Sequence, residues 1–117
     1  MAKVAMVVNG EQPSALYPAF VLGSAAAASG DDVILFFTPA GAPALKAGVL
    51  DGIEGKGLPP MKELVEGLQN LGGRLILCEL ALEAKGLKKE DLREGVEIAG
   101  ATSFMAEIKD ANITFSF

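Results

Sequence analysis

The sequence predicts an α/β fold in which a parallel sheet is covered by helices on both sides. Three observations carry that prediction. "KVAMVV", "VILFF" and "RLILC" are short, nearly continuous apolar runs of the kind that a strand buried on both faces requires. Segments with helical spacing separate them. Glycine, proline and Asp-rich turns punctuate the chain between the two kinds of segment. Strands alternating with helices in a short chain imply right-handed crossovers, and hence parallel pairing. No internal repeat or linker interrupts the pattern, so residues 1–117 read as one domain, long enough to bury a core without disulfides or metal.

The first strand runs from Lys3 to Val8 and stops at Asn9-Gly10. Pro13-Ser14 opens a helix on which Tyr17, Phe20, Val21, Ser24 and Ala28 share a stripe, and Gly30 sits where a left-handed residue would end it. Val33 to Phe37 forms the second strand, closed by Thr38-Pro39. Pro39 to Pro60 is rich in glycine and proline and is expected to be a movable loop, with a helical turn or two over Ala42 to Ala47. A helix from Met61 places Leu64, Leu68 and Leu71 on one face and stops at Gly72-Gly73. Arg74 to Cys78 is the third strand. A short helix over Leu80 to Lys85, capped by Gly86, leads through the polar turn "KKEDLREG" to a brief fourth strand in "VEIAG". Thr102 or Ser103 can cap a helix to about Lys109, and the alternation in "NITFSF" suggests a last strand with one less-buried face.

Composition excludes much chemistry. There is no histidine, which removes the commonest general base, the catalytic triads and most zinc sites. The position after the first strand reads "NGEQPS" and lacks the glycine pattern of a dinucleotide site. In "GIEGKGL" the leading glycine is too close and Gly57 stands where a phosphate loop needs a hydroxyl. A receiver domain would want acidic residues after the first strand and an Asp ending the third; the chain offers Glu11 and Cys78. The pairs Glu63 and Glu66, Glu90 and Asp91, Glu94 and Glu97 fall on helix faces or turns, where solvated charge is expected. "NIT" at Asn112 matches a glycosylation sequon by chance, since it lies in an expected strand. No metal site and no cofactor are expected.

Ten basic residues are scattered among fifteen acidic ones, giving a net charge of −5 and no footprint for a nucleic-acid backbone or an anionic membrane. The apolar stretch from Ala15 to Ser29 is too short to span a bilayer. A single cysteine and an N-terminal run that stops at Gly10 point to a reducing cytoplasm.

That cysteine, Cys78, ends the third strand, where ligands and reacting groups collect in open parallel sheets. The helix after it has no Ser, Thr, Asp or Asn before it, so its N–H groups and dipole would favour a thiolate able to attack a sulfane sulfur and hold it as a persulfide. Glu79 acts against this by placing a negative charge beside the sulfur. The other reading is that Cys78 is a small buried hydrophobe.

The ordered series "NG", an alanine-rich helix, "VILFFT", a glycine-rich loop before "PPMKEL", and "LILCELALEAKGLKKEDLREGVEIAGATSFMAEIKDANITFSF" resembles the DsrE/DsrF-like family of small sulfur-relay proteins over nearly the whole chain. The resemblance implies a three-layer α/β/α sandwich with a mostly parallel sheet of about five strands. It implies a sulfurtransferase-like carrier whose persulfide sits on Cys78, supplied and emptied by TusA-like or rhodanese-like proteins. It also implies a homo-oligomer, trimer or hexamer, in keeping with the apolar Phe115 and Phe117 at the chain's end. Asn9, Gly10, Met61 and Glu79 would approach the same crevice. With no second cysteine, any acceptor of the sulfur must come from another molecule. The alternative is a non-catalytic oligomeric protein- or ligand-binding module with Cys78 buried.

Overall fold

A computed structural model describes Met1–Phe117. The strands are β1 (Lys3–Val8), β2 (Asp32–Phe37), β3 (Arg74–Cys78), β4 (Glu97–Ala99) and β5 (Ile113–Ser116). They form one sheet in the order β4-β3-β2-β1-β5, and every pairing is parallel. The helices are α1 (Pro13–Ala28), α2 (Met61–Asn70), α3 (Leu80–Ala84) and α4 (Ala101–Glu107), with 3-10 turns at Ala42–Leu45, Leu50–Gly52 and Lys89–Asp91.

The topology explains which helix covers which face. From β1 to β4 each connection steps one strand in the same direction, whereas β4 to β5 returns across the sheet to the opposite edge. Right-handed crossovers therefore put α1, α2 and α3 on one face and α4 alone on the other. The pleat divides the strand residues accordingly. Val4, Met6, Val8, Val33, Leu35, Phe37, Leu75 and Leu77 join the helices α1 to α3 in a core of 22 buried residues. Ala5, Ile34, Phe36, Ile76 and Cys78 meet Phe104 of α4 in a second core of only 6.

The helix stripes differ from those expected. On α1 the buried residues include Leu16, Ala19, Phe20, Gly23 and Ala27, while Val21 and Ala28 are exposed. The helix carries no charge anywhere on its circumference, so apolar spacing alone does not mark its inner face. Gly23 marks it in space: a Cβ there would touch the side chains of Leu35 and Leu68. On α2 the inner face is Met61, Val65 and Leu68; Leu71 lies past the last turn and is exposed. Gly30 and Gly72, with φ of 89° and 90°, end α1 and α2 in the left-handed conformation that glycine alone adopts without strain. The N-cap of α4 is Gly100, because the chain turns directly out of β4, so Thr102 and Ser103 lie inside the first turn and cap nothing.

The Pro39 to Pro60 segment is not a free loop over Cys78. Ala42, Ala44, Leu45 and Leu50 are fully buried in the larger core, on the other side of the sheet from the thiol. The segment is also tied to the α3–β4 connection. Arg93 N donates to Leu45 O at 2.8 Å and Ala47 N to Asp91 O at 2.9 Å, while the Arg93 guanidinium reaches Asp51 and Gln69. The last strand, β5, is an edge strand exposed along its length; Phe117, just beyond it, packs against the larger core.

Candidate functional site

The parallel register builds the site. Val8 pairs with Phe37, Phe37 with Leu77, and Leu77 with Ile98. One residue further on, Asn9, Thr38, Cys78 and Ala99 make a row across the C-terminal rim of four strands. Adjacent members are spaced by about 4.8 Å, the ordinary strand separation. The pleat assigns this row to the α4 face, since Val8, Phe37 and Leu77 all belong to the opposite core.

Thr38 is the member that sequence reading missed. Its hydroxyl donates to Asn9 Oδ1 at 2.7 Å, and its backbone N–H donates to Val8 O at 3.2 Å. Its carbonyl accepts from Gly41 and Ala42 N–H, which starts the first 3-10 turn. Gly41 is required there: a Cβ would stand 2.5 Å from Val8 O. The signal in the sequence was a threonine closing the second strand, but only the register shows that it stands beside Cys78.

Cys78 itself is 4% exposed. It shares the smaller core with Phe36 and Phe104, whose rings stack at 4.3 Å between centroids with 14° between planes. Glu79 is exposed at the start of α3, with no side-chain cap, and its backbone N–H donates to Ala99 O at 3.0 Å. Its carboxylate lies over Gly100, where a Cβ would come within 2.8 Å of Oε1. Asn9 is exposed and Gly10 buried. Cys78, Asn9 and Glu79 are thus at the rim, with Gly10 just behind Asn9. Met61 is not part of this group: it is fully buried in the larger core at the start of α2, on the face away from the thiol. The sequence places Met61 after the loop but does not say on which side of the sheet the loop returns.

At the other end of the strands Arg74 bridges Glu97 and Glu107, and Lys3 bonds Asp110 at 2.7 Å. The Arg74 hydrogen bonds hold the Glu97 carboxyl below its ordinary range and raise the guanidinium above its own. The largest surface hollow, 410 Å³, is lined by Ala47, Gly48, Asp51, Gln69, Arg93 and Glu94 and includes none of the rim residues. It is a gap beneath the strut that ties the Pro39 to Pro60 segment down. No three Cys, Asp or Glu side chains converge where they could hold a metal ion. No helix is long and apolar enough to cross a membrane.

The sequence matches the profile of the DsrE/DsrF-like family over residues 2–117. The chain belongs to that family. Among solved structures, the ychN protein of E. coli superposes with a TM-score of 0.79 at 22% identity, covering 100% of both chains. MTH1491 of Methanobacterium thermoautotrophicum, described as a protein of unknown function, does so with a TM-score of 0.74 at 16% identity over 98% of this chain and 97% of its own. At these identities the likeness is one of fold. The DsrE/DsrF-like chain is also 28% identical over 97 residues to the uncharacterized protein MJ0760 of Methanocaldococcus jannaschii. That alignment takes in 83% of this chain but 35% of the relative, so the chain spans about a third of that protein's length.

Proposed function

We propose that this DsrE/DsrF-like protein is a small cytoplasmic sulfur carrier that holds sulfane sulfur as a persulfide on Cys78. The observation that carries the reading is the only cysteine of a family linked to sulfur relay standing at the C-terminal end of β3, in the rim row with Thr38 and Asn9. In the loading step the Cys78 thiolate attacks the outer sulfur of a persulfide on a donor protein. The donor's S–S bond breaks, a new S–S bond forms on Cys78, and the donor leaves as a thiolate with the electron pair; nothing is oxidised overall. An acceptor thiolate then repeats the exchange in the forward direction. With a single cysteine the chain cannot resolve its own persulfide, so donor and acceptor are other proteins, of the rhodanese-like and TusA-like kind.

Loading is tested by incubating the protein with thiosulfate and a rhodanese and recording its intact mass. Gain of one sulfur atom, lost on reduction and absent from Cys78→Ala, is expected; no gain, or a gain that survives the substitution, defeats the reading. A second reading is supported by the burial of the thiol: a non-catalytic binding module in which Cys78 only packs. Under it, thiol reagents would label Cys78 only with global unfolding. Either way we propose a homo-oligomer, a trimer or hexamer, because Ile113 and Phe115 stand 43% and 39% exposed on the edge strand. Light scattering that returned a monomer would remove this part.

A further inference from the structure

We infer that α4 is a hinged lid over Cys78, fixed at its C-terminal end and latched at its N-terminal end by the ring of Phe104. The two ends of this helix are attached in different ways. At the C-terminal end, Arg74 bonds both carboxylate oxygens of Glu107, and Lys3 Nζ donates to Glu107 O at 3.0 Å and to Asp110 at 2.7 Å. The chain is then pinned to the start of β1 by reciprocal bonds between Lys3 and Asn112, at 2.8 and 2.9 Å. Ile108 and Ala111 pack there as well.

At the N-terminal end, no hydrogen bond joins residues 100 to 106 to any part of the chain outside α4 and its own C-terminal turn. Ala101, Thr102 and Ser103 are exposed, and Gly100 offers no side-chain cap. What holds this end is Phe104, 4% exposed and stacked on Phe36 in the same small core as Cys78. Opening here breaks one aromatic stack and exposes part of a six-residue core, whereas opening the other face would break into a core of 22. Segments with few buried contacts open locally at far lower cost than the whole molecule unfolds. A thiol buried to this degree cannot meet a protein donor, so lifting the first turn of α4 is the least disruptive way to present the sulfur. The use of this motion for sulfur transfer rests on the reading above; the motion itself does not.

The test is the rate at which a small disulfide reagent modifies Cys78 in the native protein as urea is raised. A lid gives a rate that is nearly flat at low urea, because local opening exposes little surface, and turns steep only near the unfolding transition. Phe104→Ala should raise the native rate by more than about tenfold, with Phe104→Leu intermediate and serving as the deciding variant should the alanine form not fold. Glu107→Gln, at the hinge, should change the rate far less than Phe104→Leu. A wild-type rate that follows global unfolding from the lowest urea, or equal rates in wild type and Phe104→Leu, overturns the lid. Persulfide loading measured on the same variants separates the two claims. Gated labelling without sulfur gain leaves the lid standing and removes the carrier, while sulfur gain together with labelling indifferent to residue 104 does the reverse.

Discussion

Leu35 and Phe36 are neighbours in β2, yet they face two differently built halves of the molecule. Leu35 enters a core of 22 residues shared by α1, α2, α3 and the buried part of the Pro39 to Pro60 segment. Phe36 enters a core of 6, covered by one helix of 7 residues. The difference follows from topology, since three crossovers step one way along the sheet and a single one returns. It teaches where chemistry can be accommodated: the heavily packed face carries the stability, and the thinly covered face is where Cys78 lies and where opening is least costly.

The largest effect that can test this contrast comes from truncating an aromatic on each side. Phe20→Ala, in the large core, is expected to cost about 4 kcal/mol, the middle of the range for buried Phe, because the fully buried ring sits against Phe37 in a core of 22 residues. Phe104→Ala should cost about 3 kcal/mol, the low end of that range, since α4 can settle into the space. Urea denaturation monitored by circular dichroism compares them, and a greater loss for Phe104→Ala would break the comparison. A smaller effect is expected at the rim, where Gly41→Ala drives a methyl toward the Val8 carbonyl and shifts the Thr38 turn. A loss of about 1–3 kcal/mol in the same measurement is predicted, and a neutral outcome would show that the rim gives way more easily than its contacts imply.

The smallest effect concerns the charges that anchor α4. Glu97 and Asp110 are held below their ordinary range by hydrogen bonds from Arg74 and Lys3 respectively. A carboxyl whose folded-state pKa is lowered stabilises the fold above its unfolded pKa, and that contribution is lost as pH falls through the folded value. Arg74→Gln should therefore cost no more than about 1 kcal/mol at neutral pH, since the pairs are partly exposed and screened. The difference from wild type should shrink with added salt and vanish in acid below the carboxylate range. A difference that persists unchanged at low pH would mean that Arg74 acts through packing of its stem instead.

Much of the architecture is visible in the residues themselves. "KVAMVV", "VILFF" and "RLILC" mark β1, β2 and β3 because a strand buried on both faces leaves almost no room for polar residues. Gly30, Gly72 and Gly86 mark helix ends because the chain there needs positive φ. The inner stripe of α1 is not visible, because a helix without charge looks the same from every side. The tethering of the Pro39 to Pro60 segment also stays hidden, because it depends on Arg93, some forty residues away in the chain, reaching Asp51.

The same division holds at the site. The sequence alone determined that any thiol chemistry must use Cys78, and that the cysteine ends a strand, because there is one cysteine and its apolar run stops there. The tertiary structure alone decided the rest: Thr38 stands beside it with Asn9 one strand further along the rim, Met61 is on the wrong face, and Phe104 shares the small core with the sulfur. Register and face are properties of strand pairing and crossover direction, and a side chain's neighbours across a sheet come from segments whose distance along the chain carries no trace of their contact.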